Sequence, residues 1–223
     1  MLRRLQRVLD RARLADRRFT FLFEPGPPDE VVALDCETTG LNPRKDEIIT
    51  IAAIRIRGER ILTSQRFEAV AQRRRKSHPD AIKVHRILDA DLQNGRPMRE
   101  ILPDLLHFIG SRPIVGYYTD FDVRMIDRYL MRLLEIHLPN QRIDVSSLYY
   151  ECKYKGAPDH LMIDLSFASM LQDLKIPPLA QHDAFNDALM TAMAYVQLHD
   201  MLKRGVRIAR SRAGAVGNLG IGA

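Results

Sequence analysis

The sequence predicts an α/β fold, a mixed β-sheet of three leading antiparallel strands and then parallel strands, flanked by α-helices. Three observations carry this. Strand-like runs follow one another at 31–36, 47–57 and 60–69, joined by short turns such as RGER at 57–60. A short apolar run at 113–117 then stands between helical patterns, the mark of a buried strand parallel to the first. Helical periodicity fills most of the remaining chain.

Taken in order, residues 2–17 read as a helix, with Leu2, Leu5, Leu9 and Ala12 on one stripe and arginines elsewhere. The helix is expected to pack on the body; binding a partner or an anionic surface are the other readings. EPGPPDE at 24–30 breaks the chain. The expected organisation is therefore a basic amphipathic helix and linker at 1–23, one catalytic-sized domain at 29–202 and a basic tail at 203–223. Helical patterns fall at about 79–86, 98–110, 121–136, 163–173 and 183–202. Ile143 to Leu148 is expected to supply a fifth strand end. From Gly205 the chain is basic, rich in Gly and Ala and without periodicity, so disorder is expected there.

The bulk numbers exclude several classes. With 46% hydrophobic and 28% charged residues among 223, the chain has the composition of an ordinary globular domain with short extensions. No apolar run is long enough for a membrane span, and the arginine-studded start lacks the apolar stretch of a secretory signal. Two cysteines, Cys36 and Cys152, make no disulfide framework and no zinc spacing, which points to a reducing cytoplasm. The net charge of +6 is concentrated at the ends. Seven arginines stand against Asp10 and Asp16 in residues 1–18, and five basic residues against no acid in 203–223. The body is mildly acidic, so the high pI by itself says little about nucleic acid. The cluster RRRK at 73–76 reads equally as a solvated loop or as a phosphate contact.

The chemistry-bearing stretch is VVALDCETTGL at 31–41. Side chains two apart on a strand share a face and lie about 6–7 Å apart, so Asp35 and Glu37 converge while Cys36 points into the core. Two carboxylates placed together need a cation, and this pair suits metal ions about 3.5–4 Å apart. Thr38, Thr39 and Gly40 are small enough to let a substrate strand approach the backbone. Further on, YYTDFDVRMI puts Asp120 and Asp122 at a helix start; Asp120 suits a cap and Asp122 is left for another role. QHDAFNDALMTAMAYVQL opens the last helix with His182 in its entry turn and Asp187 five residues on. Ala184, Ala188, Ala192 and Ala194 keep that helix slim. His78, His107, His137, His160 and His199 have no ligand spacing and read as surface or core, as do Asp144, Asp159, Asp164 and Asp173.

D-x-E-T-T-G-L, F-D after VGYYTD, and H-x4-D, in that order, resemble the three motifs of the DEDDh 3′–5′ exonucleases, the family of the proofreading epsilon subunit of bacterial DNA polymerase III. DAIKVHRI at 80–87 is similar to the family's V-H-G-I segment, with Arg86 in place of Gly. The resemblance covers about 29–202. It implies an RNase H-like sheet, two Mg²⁺ or Mn²⁺ ions and hydrolysis of a terminal phosphodiester. Asp35, Glu37, Asp122 and Asp187 match the metal ligands, and His182 matches the general base. Chemistry agrees, since hard cations prefer carboxylate oxygens and imidazole titrates near neutrality. Thr38, Thr39 and Leu41 match the part that holds the terminal nucleotide, beside Phe121 of the F-D motif.

The chain departs from the family at Tyr117 and Tyr118, where most members have His-Asn; core packing and substrate contact are equal readings there. The polymerase-binding extension of epsilon is not seen, so a stand-alone or repair exonuclease is expected over a dedicated proofreader, with a polymerase or repair partner possible. The expected substrate is a single-stranded or frayed DNA end, and the expected product is a nucleoside 5′-monophosphate. An RNA-trimming enzyme and a non-catalytic nucleic-acid-binding module of the same fold are the alternatives.

Overall fold

The computed structural model describes residues 2–72, 95–158, 160–180 and 182–210. The helix expected at 79–86, RRRK, the VHRI segment with Arg86, His78, His85, Asp159 and the tail from 211 lie outside the described residues. A five-stranded sheet, in the order β3-β2-β1-β4-β5, organises the rest. Its strands are β1 (Glu30–Thr38), β2 (Ile48–Arg57), β3 (Arg60–Val70), β4 (Ile114–Gly116) and β5 (Arg142–Asp144). β1, β2 and β3 are antiparallel, and β4 and β5 run parallel to β1, as expected.

Both faces of the central strands are covered, which explains why β1 and β2 read as near-continuous apolar runs. Val32, Leu34 and Cys36 face α2 (Met98–Ile109), α3 (Asp120–Leu133) and the 3₁₀ segment Arg17–Phe23. Val31 and Ala33 face α4 (Val145–Lys153), α5 (Phe167–Asp173) and α6 (Ala184–Lys203). Ala184 and Ala188 of α6 lie directly on Ala52 and Ile54 of β2. A larger side chain at Ala188 would overpack that contact by about 1–3 kcal/mol. β3 is one edge strand, and its exposed face carries Arg60, Arg66 and Glu68, charges that discourage pairing with another chain.

Two local expectations are corrected. The fifth strand expected from Ile143 to Leu148 is present but ends early: β5 stops at Asp144, whose side chain accepts the Ser146 N–H and starts α4 at Val145. The cap withdraws these residues from the ladder because it satisfies an otherwise orphaned helix donor. Asp120 is not the cap of α3; it is the first helical residue and pairs with Arg142 at 2.8 Å.

α1 (Leu2–Arg13) packs on the body, and it does so through its polar face. Asp10 is buried and accepts from Gln6 Nε2 at 2.9 Å, with His137 Nδ1 3.5 Å away. Arg7 donates to the Pro139 carbonyl. Leu5, Val8 and Leu9 are exposed. The body surface under the helix presents a carbonyl, an imidazole and Arg142, so the complementary face is the polar one.

Candidate active site

β1 runs from a parallel neighbour on one side to an antiparallel one on the other, and the carboxyl ends of β1 and β4 open into a cavity of about 500 Å³. A crevice at the carboxyl ends of strands, where neighbours change direction, is the expected ligand position of an open α/β sheet. The cavity is lined by Asp35, Glu37, Asp122, His182 and Asp187 together with Leu41, Tyr117, Tyr118 and Phe121. The three separated motifs therefore meet at one place.

Each side chain has a local cause. Asp35 and Glu37 project from the same face of β1, and a bulge between Glu37 and Thr38 ends the regular pairing with β2 just beyond them. β4 pairs with β1 only as far as Ala33 and Val115. Beyond it stands Asp122, a buried side chain in the first turn of α3. At α6, Asp183 caps the helix by accepting the Asn186 N–H. Asp187 Oδ2 reaches back to accept the His182 N–H at 2.9 Å. That bond holds His182 at φ 64°, a left-handed conformation that costs a non-glycine residue energy and aims its exposed imidazole at the cavity.

The electrostatics are those of a cation site lacking a protein cation. Burial and then the charges of Asp122, Asp187 and Glu37 push the Asp35 carboxyl far above its ordinary value. Glu37 rises to about 7, through burial and then Asp187 and Asp183. Burial also raises Asp122, against the backbone N–H groups it accepts, and Asp187, against the His182 N–H and imidazole. Among the described residues, no lysine or arginine is paired with any of the four. A divalent ion fits this donor set. Ligand atoms of Glu37, His182 and Asp187 lie within 4.8 Å of one another, and Asp187 Oδ1 is buried with no hydrogen-bond partner. Hard divalent ions prefer such oxygens, and an orphaned buried carboxylate oxygen is costly without one.

The substrate-binding candidates divide. Tyr117 is half-buried, donates its hydroxyl to the Leu165 carbonyl and packs 4.9 Å from Phe167 and 4.4 Å from Tyr118. Tyr118, at φ 53°, and Leu41, 86% exposed, stand at the cavity mouth. Thr38, Thr39 and Gly40 do not line the cavity. Thr38 Oγ1 donates to the Gly40 carbonyl, Thr39 Oγ1 accepts the Glu47 N–H, and a Cβ at Gly40 would sit 2.6 Å from Asp46 Oδ2. Their small size is used by the turn between β1 and β2.

Sequence reasoning missed Phe167, Ala168 and Thr191, which also line the cavity. Thr191 stands four residues after Asp187 on the same face of α6, a signal that was available. Of the other histidines and acids, His107 packs on Phe19 and Phe21, His199 stacks on Tyr195, and Asp164 and Asp173 bond to neighbouring side chains.

A family profile described as "Exonuclease" matches residues 32–195. The PolC-type DNA polymerase III of Thermotoga maritima is 29% identical over 174 residues, 78% of this chain and 12% of that protein. The DNA polymerase III epsilon subunit of Aquifex aeolicus is 23% identical over 171 residues, 77% of this chain and 81% of that protein. The chain thus spans about an eighth of the length of the first of these curated relatives. Among solved structures, E. coli exonuclease I in complex with a dT13 oligonucleotide superposes with a TM-score of 0.67 at 16% identity, over 79% of this chain and 42% of that one. This last likeness concerns the fold, which is RNase H-like.

Proposed function

The chain belongs to this exonuclease family, of the DEDDh 3′–5′ type, and we propose that it hydrolyses terminal phosphodiesters of single-stranded or frayed DNA, releasing nucleoside 5′-monophosphates. The observation that carries the reading is the meeting of four carboxylates from three remote segments beside one imidazole, with no cationic side chain among the described residues to neutralise them. A module freed from chemistry has no reason to keep such a cluster, whose burial and mutual repulsion oppose folding.

In this reading Asp35, Glu37, Asp122 and Asp187 would hold two Mg²⁺ or Mn²⁺ ions. When bound, these supply Lewis-acid chemistry and charge neutralisation at the phosphate. His182 takes the proton from the attacking water as the new phosphorus–oxygen bond forms and the bond to the 3′-oxygen breaks. Asp187 anchors the His182 backbone through Oδ2, which leaves its unpartnered Oδ1 as the oxygen that would face an ion. Tyr118, Phe121 and Leu41 offer faces on which the terminal base stacks, a contact indifferent to base identity. The preference for DNA rests on the relatives' being DNA polymerase III subunits, and a polymerase or repair complex is the corresponding partner. We place the protein in the cytoplasm; no described helix is long and apolar enough to cross a membrane.

The test is digestion of matched 5′-labelled and 3′-labelled oligonucleotides with Mn²⁺ and with EDTA. The 5′ label should give a ladder shortening from the far end, the 3′ label a mononucleotide at once, and EDTA should stop both. Internal cuts, or degradation indifferent to EDTA, would sink the proposal. A strong preference for the matched RNA would reassign the substrate. His182→Ala should slow turnover while Mn²⁺ still binds; an unchanged rate across neutral pH removes the histidine from its role as base.

A further inference from the structure

The helix that brings Phe121 and Asp122 to the cavity continues as one wall of a second groove, of about 410 Å³, whose other wall is α2. Arg128 and Arg132 of α3 and Arg99 of α2 line it, against Glu47 as the one acidic lining residue among the described residues. Phe121, Arg124, Arg128 and Arg132 are spaced three, four and four residues apart, so they share one face of α3. That face begins at the cavity and extends about 16 Å along the helix axis.

These arginines are not held as others in the chain are. Arg57, Arg96, Arg142 and Arg204 each lie within 3.0 Å of a carboxylate. Arg124 and Arg132 have no carboxylate partner among the described residues, and Arg99 comes no closer than 3.8 Å to Glu100. Arg128 is half-buried and fixed by a bond to the Asp46 carbonyl and by the Tyr129 ring, 5.7 Å from its guanidinium carbon. Desolvated and preoriented in this way, its guanidinium is suited to bind an oxyanion.

A nucleic-acid chain whose end sits among four carboxylates must lead its next phosphates out of a region that repels them. The face after Phe121 has the opposite charge, and its four-residue step of about 6 Å is close to the separation of successive phosphates in an extended strand. We propose that this groove is the exit track for the sugar–phosphate backbone upstream of the reacting nucleotide, with Arg124, Arg128, Arg132 and Arg99 contacting phosphates. The inference rests on the nuclease reading for the position of the 3′ end. Phosphate contacts carry no sequence information and do not read a 2′-hydroxyl, so the track serves DNA and RNA alike.

The experiment compares the wild type with Arg124→Glu/Arg132→Glu, with Arg99→Glu, and with Arg17→Glu as a remote reversal of equal sign. Thermal melting first confirms that these surface variants fold. Dodecamer binding is then measured by fluorescence anisotropy in EDTA over a salt series. The double variant and Arg99→Glu should weaken binding, the double variant by about tenfold. Both should flatten the slope of log affinity against log salt by about 0.7 for each phosphate no longer neutralised. With Mn²⁺, the advantage in kcat/KM of a dodecamer over a trinucleotide should shrink in step, while Arg17→Glu changes neither quantity. Unchanged dodecamer affinity and slope, or an equal loss in Arg17→Glu, would overturn the track. The two readings fail separately. Groove-dependent binding without any hydrolysis refutes the nuclease, whereas hydrolysis indifferent to the reversals refutes only the track.

Discussion

The two ends of β1 both bury carboxylates and treat them in opposite ways. At its start Glu30, 7% exposed, is clamped by Arg57 Nε at 2.6 Å and Arg112 Nε at 2.7 Å. Burial pushes Glu30 up, but the hydrogen bonds from Arg112 and Arg57 outweigh it and hold the carboxyl below its ordinary value. Seven residues on, Glu37 and its neighbours have no such partner among the described residues, and burial lifts Glu37 to about 7. Both are acids on one strand of one sheet. The first is completed by the protein, and the second, in the reading proposed above, is completed by a bound cation. That difference, rather than burial alone, separates a structural carboxylate from a functional one.

The largest test of this contrast is activity. Asp35→Asn and Glu37→Gln should each cost about a thousandfold or more in hydrolysis, whereas Glu30→Gln should leave the rate near wild type, all read in a Mn²⁺-dependent oligonucleotide assay. Comparable losses at both ends would erase the distinction. Stability should show the reverse. Glu30→Gln strands the Arg112 guanidinium, 14% exposed, and should cost about 3 kcal/mol, visible in urea unfolding. Glu37→Gln should instead raise the melting temperature in EDTA, because it removes repulsion from a crowded site.

A smaller effect appears in the pH dependence of melting in EDTA. Glu37 is raised from 4.5 to about 7, so the folded state binds the extra proton between these values. Stability from this group is full below pH 4.5 and is lost as pH rises through 7. Glu30 is lowered, so its contribution is present above its unfolded value and is lost as pH falls. Glu37→Gln should flatten the loss on the neutral side, and Glu30→Gln the loss on the acid side. Smallest is the gain from the ion itself. Mn²⁺ at a hundredfold excess over its Kd should stabilise the wild type by about 2.7 kcal/mol near pH 8. In Glu37→Gln it should do so much less, as a thermal-shift titration would show.

Much of this was legible beforehand, for identifiable reasons. Alternation and apolar runs are local, so β1, β2, β3 and the parallel position of β4 could be read from short windows. The residues of the candidate site were legible because their spacing, Asp35 and Glu37 two apart on a strand and His182 and Asp187 five apart at a helix entry, is also local. α4 was misread because Ile143 and Val145 extend a β-like pattern, although Asp144 ahead of VSSLYYECK carries a capping signal. The turn role of Thr38, Thr39 and Gly40 could not be read, since it depends on Asp46 and Glu47 closing a loop around them.

The amino-acid order by itself determined the four leading strands and most of the helices, and it set the acids and the histidine of the candidate site in short motifs, because each is encoded within one turn or one pleat of backbone. Tertiary structure alone decided which face of α1 meets the body, which buried acid receives an arginine and which does not, and that the arginine face of α3 leads out of the cavity. Those outcomes depend on groups that come together only when remote segments pack, where complementarity of polar surface and the cost of an unpaired charge outweigh any local pattern.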